Sequence, residues 1–400
     1  MIQYLSYFIF LFSLIVTIVY FYIKKKYGFW VLQPVVHIYD IHYMFKPPGI
    51  INETLPTRNK YTNFTNIETT NIAEAASFVV TRSINHVNTS YFNDGKNYYR
   101  ITNDCFNPYF EGHTHKSFLS LYSIKNSLYS EVSKRIVEDT AIVSVITSRP
   151  LNVKINKYAY DINFYCYYVD YLCVSKSQRK KGIAPQIIQT HEYNQRHMNK
   201  QIAVSLFKRE NELTGIVPLC VYSTYGFSVL KWNKPEELVS TYQLLKITKL
   251  NIQLLYDFIK EANDDFDIVI TPHYGNLLKL IETNNVFVYL LKHDDSVMAA
   301  YFFRKTAIYV DGNLEILSCF ASINRCPSND VFTHAFKVLF WDISAQNGFG
   351  YCTVENISHN YLIVNNLLLK NHPTFISPTA YFFYNFIYKT VSSDKVFIIN

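Results

Sequence analysis

Asn163-Phe-Tyr-Cys-Tyr-Tyr-Val-Asp-Tyr-Leu-Cys-Val-Ser175, Lys176-Ser-Gln-Arg-Lys-Lys-Gly182 and Ile183-Ala-Pro-Gln-Ile-Ile-Gln-Thr-His191 follow one another without a break. The first run, dense in Tyr and Val, predicts a β-strand. In the third, Ile183, Ile187, Ile188 and His191 recur at helical spacing and Pro185 suits a first turn, which predicts a helix. The basic run between them carries the chain from strand to helix N-terminus. Such a place is an anion site by construction, because unpaired N–H groups and the positive end of the helix dipole point the same way. Gly182 and Ala184 let a ligand come close to the backbone. Arg179, Lys180 and Lys181 add charge suited to a pyrophosphate. Neither G-x-x-x-x-G-K-[ST] nor G-x-G-x-x-G occurs, so this is not a Walker loop or a dinucleotide fingerprint. Taken alone, the run also reads as a solvated basic turn.

Outward from this stretch, Ala141–Arg149 and Leu151–Tyr158 are strand-like before it, and Gln201–Phe207 after it. The order then repeats. Val286–Leu291, Val297–Val310 and Leu314–Ser322 read as strands, apolar residues from Val331 to Ile343 recur on one helix face, and Phe349–Val354 is again a strand,. Two copies of β-β-β-α-β predict an α/β fold, of the α+β mixed-sheet kind, in two similar halves spanning 27–240 and 241–400. At the second strand-to-helix junction stands Asn324-Arg-Cys-Pro-Ser-Asn-Asp330, without the basic run or the glycine, so only the first half is expected to bind phosphate. Residues 27 to about 135 have weak periodicity and turn-rich stretches such as Lys46-Pro-Pro-Gly49 and Asn93-Asp-Gly95.

The 400 residues are 49% hydrophobic and 17% charged, with 34 Tyr, 30 Phe and 35 Asn, which excludes a disordered chain,. Only 24 are Gly or Pro, which excludes collagen-like and linker architectures,. The net charge is +7, and seven positives sit in two runs, Lys24-Lys25-Lys26 and Lys176 with Arg179-Lys180-Lys181. The remainder is balanced, so the charge pattern is not that of a nucleic-acid-coating protein. Seven widely spaced cysteines without a C-x-x-C point to reduced thiols in a cytosolic setting,.

The segment 2–23 carries no charge. Its 22 residues, as a helix, reach about 33 Å, enough for a bilayer core of about 30 Å. No basic region precedes it and no small-residue cleavage site follows, so a retained transmembrane helix is expected in place of a signal peptide. The lysine block after it puts the remainder on the cytosolic side of a single-pass protein. Sequons at Asn52, Asn63 and Asn88 are what so Asn-rich a chain offers by chance.

The string Asp170-Tyr-Leu-Cys-Val-Ser-Lys-Ser-Gln-Arg-Lys-Lys-Gly-Ile-Ala-Pro185 resembles the coenzyme A loop of the acyl-CoA N-acyltransferase superfamily, and specifically that of the glycylpeptide N-myristoyltransferase family. Phe29-Trp-Val-Leu-Gln-Pro-Val35, Val145-Ile-Thr-Ser-Arg-Pro-Leu-Asn-Val-Lys-Ile155, Tyr381-Phe-Phe-Tyr-Asn-Phe386 and Lys395-Val-Phe-Ile-Ile-Asn400 agree in order. The resemblance implies two pseudo-symmetric acyl-CoA N-acyltransferase-like halves, the first holding acyl-CoA and the second the peptide. The implied activity transfers myristate from myristoyl-CoA, a co-substrate and not a resident cofactor, to the N-terminal glycine amine of proteins.

Residue by residue, the resemblance lays Phe29 and Trp30 against the acyl-CoA and has Leu172 and Val174 line it along the strand. Arg179, Lys180, Lys181, Gly182, Ile183 and Ala184 would meet the phosphates. Backbone amides of Tyr171 and Leu172 would form the oxyanion hole, and the terminal carboxylate on Asn400 would take the amine proton. A peptide α-amine has a pKa of roughly 7.7–8 and must lose a proton before attacking a thioester. The apolar ending Val396–Asn400 suits burial, which raises a carboxylate's pKa. Ser205-Leu206 replaces the family's Tyr-Thr, its His has no counterpart around Tyr222–Phe227, and His372–Pro378 replaces its glycine-rich turn.

Other constellations are weaker. Cys173 has no activating motif, so it reads as packing. His37 with His42, and His113 with His115, lack a second ligand cluster, so no metal is expected. A G-x-S-x-G elbow is absent,, and runs such as Tyr381–Phe386 read as core strand. A second reading keeps the fold without the chemistry: a non-catalytic relative that binds acyl-CoA, lipid or a protein partner.

Overall fold

The structure, a computed structural model, describes residues 2–400 except 27, 41, 42, 44, 92–96, 131–134, 157–160, 211–214, 231 and 312–313, and the backbone alone at 2–3, 23–26, 126–130 and 135–139. The Asn93-Asp-Gly95 turn, His42, the end of the strand expected at Tyr158 and the side chains of Lys24–Lys26 lie outside it.

The chain begins with α1 (Ile2–Lys26). Its apolar stretch Tyr4–Tyr22 is long and apolar enough to cross a membrane, and none of it is buried against the rest of the protein. After an arm that contacts both halves come β1 (Ile67–Asn71), α2 (Ser77–Ser90), β2 (Phe118–Ser130), β3 (Arg135–Ile155), β4 (Ile162–Val174), α3 (Ile183–Met198), β5 (Val204–Glu210) and β6 (Cys220–Ser228). The second half runs β7 (Tyr242–Lys246), α4 (Ile252–Glu261), β8 (Ile268–Thr271), α5 (Tyr274–Glu282), β9 (Val286–His293), β10 (Ser296–Val310), β11 (Leu314–Asn324), α6 (Asn329–Asn347), β12 (Tyr351–Glu355), α7 (Asn360–Leu368), β13 (Phe375–Tyr384) and β14 (Val396–Ile398).

In the first half β1, β2, β3 and β4 pair antiparallel in that order, and β4 then pairs parallel with β5. In the second, β7, β9, β10 and β11 pair antiparallel, and β11 pairs parallel with β12. A parallel pair needs a crossover, which α3 and α6 supply. The outer edge of β5 is covered by β13 from the other half, and that of β12 by β6. These two exchanged strands pair with each other, Phe375 opposite Gly226 through Tyr381 opposite Cys220. The mixed α/β architecture expected from the sequence is therefore present, as two similar halves joined by strand exchange.

The duplication differs in one detail. The strands expected over Ala141–Arg149 and Leu151–Tyr158 are one strand, β3, running through Pro150. On that side of β3, pairing with β2 ends at Ser148 and pairing with β8 begins at Asn152. Proline, which has no N–H, is tolerated in this gap. The counterpart of β9 is accordingly β2, in the stretch where the sequence showed little periodicity.

Candidate active site

β4 and β5 stay paired from Cys166 opposite Val204 to Val169 opposite Phe207, and then part. Just past the divergence β4 bulges. Val145 faces Cys173 and Thr147 faces Asp170, so Tyr171 and Leu172 stand against the single residue Ile146. Tyr171 takes a left-handed conformation, φ 52°, which a bulge imposes and a bulky side chain otherwise avoids. Its ring is anchored in the core against Phe106 and Phe110, at centroid distances of 5.1 and 6.4 Å. Leu172 turns outward, 37% exposed. The Tyr171 amide donates to Asp170 Oδ1 at 2.8 Å, so one of the two amides expected to hold an oxyanion has a partner in this state. The second half has its own bulge, with Phe320 between Ala321 and Cys319 opposite Phe302 and Phe303. There Arg304 packs over the Phe320 ring at 4.7 Å.

The basic loop leads into α3 through Lys180 and Gly182, both left-handed at φ 64° and 76°. Gly182 caps the helix without a side-chain hydrogen bond, and the space above its Cα is open. The first-turn donors of α3 are thus offered on a surface that a phosphate can reach. The three cations differ in role. Arg179 donates from Nε to the Val174 carbonyl (3.2 Å) and from Nη2 to the Ser90 carbonyl (2.8 Å), which ties the loop to the end of α2. Arg179, though exposed on the turn, is thereby bound to the backbone on both sides of it. Lys180 is exposed, and among the described residues Lys181 reaches only Gln178, three positions before it. Val174 and Ile183 pack into one core cluster with Ile187, and Ala184 lies against it, so Val174 and Ile183 can offer a ligand chiefly their backbone.

Phe29 and Trp30 are brought to the same region. Trp30 stacks on Phe207 at 5.7 Å, and Phe207 on Phe382 at 5.2 Å. Phe29 meets Trp30 and Tyr61 edge-on. Further along the arm, Asn63 binds Gln186 and Thr190 of α3. The arm therefore runs past the place where β4 and β5 diverge.

Asp170 and Tyr171 also line a cleft of about 1030 Å³ that opens between the halves. Its floor carries charges that the sequence reading did not single out. Glu355 on β12 is buried and accepts from Lys208 of β5 (3.1 Å), Arg304 of β10 (2.5 Å) and the Tyr222 hydroxyl of β6 (2.5 Å). Burial alone would raise its pKa, but the two cations hold it below the usual carboxylate range. Asp170 has the opposite fate, since burial raises it against the pull of Arg149. Asn400 is 2% exposed, and Arg304 Nη1 donates to its main-chain oxygen at 3.1 Å and to its Oδ1 at 2.9 Å. The only sign of this cluster in the sequence is a charge within or at the end of an apolar strand, at Arg149, Asp170, Lys208, Arg304 and Glu355.

Among the discounted residues, burial pushes the Cys173 thiol up to about 12, far from a reactive thiolate,. His37 stacks on Tyr39.

No protein-family model matches the sequence, and no curated protein sequence matches it. Comparison with solved structures finds N-myristoyltransferase of Saccharomyces cerevisiae with bound myristoyl-CoA, at TM-score 0.69 and 13% identity, over 92% of this chain and 94% of that one. A second structure of the yeast enzyme with myristoyl-CoA aligns at TM-score 0.70 and 13% identity, over 92% and 90%. One that also holds inhibitors aligns at TM-score 0.67 and 14% identity, over 92% and 91%. Over 92% of its length this chain has the fold of the N-myristoyltransferases, at an identity that leaves its chemistry to be argued from its own residues.

Proposed function

We propose that the protein is an acyl-CoA-dependent N-acyltransferase that moves a long acyl chain, myristoyl by the family likeness, from coenzyme A to the N-terminal glycine amine of a peptide. The observation that carries this reading is the β4 bulge. It stands between the open N-terminus of α3 and a cleft large enough for a peptide. Coenzyme A phosphates lie on the α3 N-terminus with Lys180 and Lys181, and the thioester reaches the bulge. The amine nitrogen in the cleft attacks the thioester carbon. The C–S bond breaks and coenzyme A leaves as a thiolate, which takes up the second proton, the one the nitrogen sheds as the amide forms.

The amides of Tyr171 and Leu172 receive the oxyanion, the former once Asp170 releases it. Loss of one such donor costs about 3–4 kcal/mol of barrier in other enzymes. The first proton, which the ammonium must lose before attack, goes to the terminal carboxylate on Asn400, whose main-chain oxygen accepts from Arg304. A second carboxylate, Asp170, has its basicity raised by burial and lines the cleft beside the bulge.

Acyl transfer from myristoyl-CoA to an N-terminal-glycine peptide tests both. Appending residues after Asn400 is expected to abolish transfer and leave coenzyme A affinity unchanged. Full activity in the extended protein, lost on Asp170→Asn, moves the base to Asp170. Binding of acyl-CoA with no transfer by the unaltered protein favours the non-catalytic reading. We further propose that α1 anchors this domain to a membrane as a single pass, with the cleft facing the cytosol.

A further inference from the structure

Arg149 is a large side chain that is almost completely buried, 2% exposed, on the wall of the cleft. Its guanidinium carbon lies 4.9 Å from the centre of the Tyr109 ring and 5.2 Å from that of Tyr168. Aromatic faces stabilise a cation but leave its in-plane N–H donors unused. Here they are unused: Nη1 is buried without a hydrogen-bond partner, and among the described residues Arg149 has neither a hydrogen bond nor an ion pair. The other buried cations of the cleft are matched. Lys208 binds Glu355 and Glu210, and Arg304 binds Glu355 and Asn400. Asp170 attracts Arg149 but spends Oδ1 on the Tyr171 amide and lies beyond ion-pair distance. Removing a guanidinium from water without a partner is costly. The backbone explains how the side chain comes to be there, since Arg149 begins the stretch of β3 between the end of β2 pairing and the start of β8 pairing.

We propose that Arg149 is a specificity-determining residue that receives a carboxylate side chain of the acceptor peptide. A planar fork with its faces covered suits bidentate recognition of a carboxylate. The position sets the register. Arg149 is opposite Tyr168, three residues before Tyr171 on β4, so its backbone is about 10 Å from the bulge at roughly 3.3 Å per residue. An extended peptide with its amine at the bulge brings its second to fourth residues within reach of Arg149. The acceptor is therefore a peptide with Asp or Glu at one of those positions. A cleft of about 1030 Å³, at the upper end of the range for drug-sized ligands, fits a peptide segment better than a free amino acid.

The inference rests on the acyltransferase reading for the placement of the amine, and its test is a binding measurement that needs no catalysis. Fluorescent N-terminal-glycine peptides with Asp or Glu at position two, three or four are titrated against the full chain in detergent, each beside its Asn or Gln counterpart. At one position the acid is expected to bind at least tenfold more tightly. Arg149→Met is expected to remove that difference, and Arg149→Lys to retain part of it. Equal affinity for acid and amide at all three positions overturns the proposal, as does a preference that survives in Arg149→Met. Displacement of the acidic peptide by free aspartate at similar concentration overturns the assignment to a peptide. If Arg149→Met fails to fold, the wild-type comparison and Arg149→Lys decide. Coenzyme A affinity, measured on the same sample, reports separately on the acyltransferase reading.

Discussion

Glu192 and Glu355 are both buried carboxylates, and their surroundings drive them in opposite directions. Glu355 has two cations and a phenol around it and is held below its ordinary pKa, so its contribution to stability is present at neutral pH and is lost as pH falls,. Glu192, on α3, has Arg196 and the Ser205 hydroxyl, yet burial outweighs both and raises it to about 7 from 4.5. The folded chain holds that proton more tightly than the unfolded one. The stability it contributes is therefore complete below about 4.5 and lost as pH rises through about 7,. Glu192→Gln, which cannot ionise, is expected to gain on wild type by roughly 3 kcal/mol at most between pH 4 and pH 8. Denaturant unfolding at the two pH values measures this. A stability difference that does not change with pH would show that folding does not raise the pKa of Glu192.

The loop before α3 joins a structural role to the phosphate binding proposed for it. Lys180 and Gly182 adopt the left-handed conformations that turn the chain into the helix, and Arg179 holds the turn against Val174 and Ser90. Charge on Lys180 and Lys181 can therefore be altered with little effect on the fold, whereas Arg179 cannot be changed without releasing two carbonyls. Lys180→Glu with Lys181→Glu is expected to weaken coenzyme A binding at least tenfold in calorimetry and to leave the melting temperature nearly unchanged. Arg179→Glu is expected to lower the melting temperature. Wild-type affinity in the double variant would remove the phosphate assignment. The corresponding junction of the second half is already capped, since the Ser328 hydroxyl accepts from the Asp330 amide and Asp330 places a carboxylate in the first turn. A phosphate would be repelled there, which gives a physical reason for proposing coenzyme A binding at the first junction and not the second.

At the scale of the whole molecule, a division between 240 and 241 cuts the chain between β6 and β7, and each side then keeps a strand that completes the other's sheet. The proposed anchoring by α1 adds a constraint on orientation. A reporter fused after Asn400 is expected on the cytosolic side, by protease protection in sealed vesicles, because the Lys24–Lys26 block follows the apolar helix. Glycosylation at Asn88 in cells would show the reverse orientation, away from cytosolic acyl-CoA. The sequence by itself determined the features that depend on neighbours along the chain: the apolar helix, the strand–turn–helix with its glycine, and the order of strands around α3 and α6. Periodicity and turn chemistry are local, so they can be read without the fold. Only the tertiary structure decided that β3 continues through Pro150, because the tolerance lies in a gap between two partner strands. It alone brought Arg149, Lys208, Arg304 and Glu355 to one cleft from β3, β5, β10 and β12. Alternation along a strand shows that a charge interrupts an apolar run, but long-range pairing and the exchange of β6 and β13 decide which charges meet.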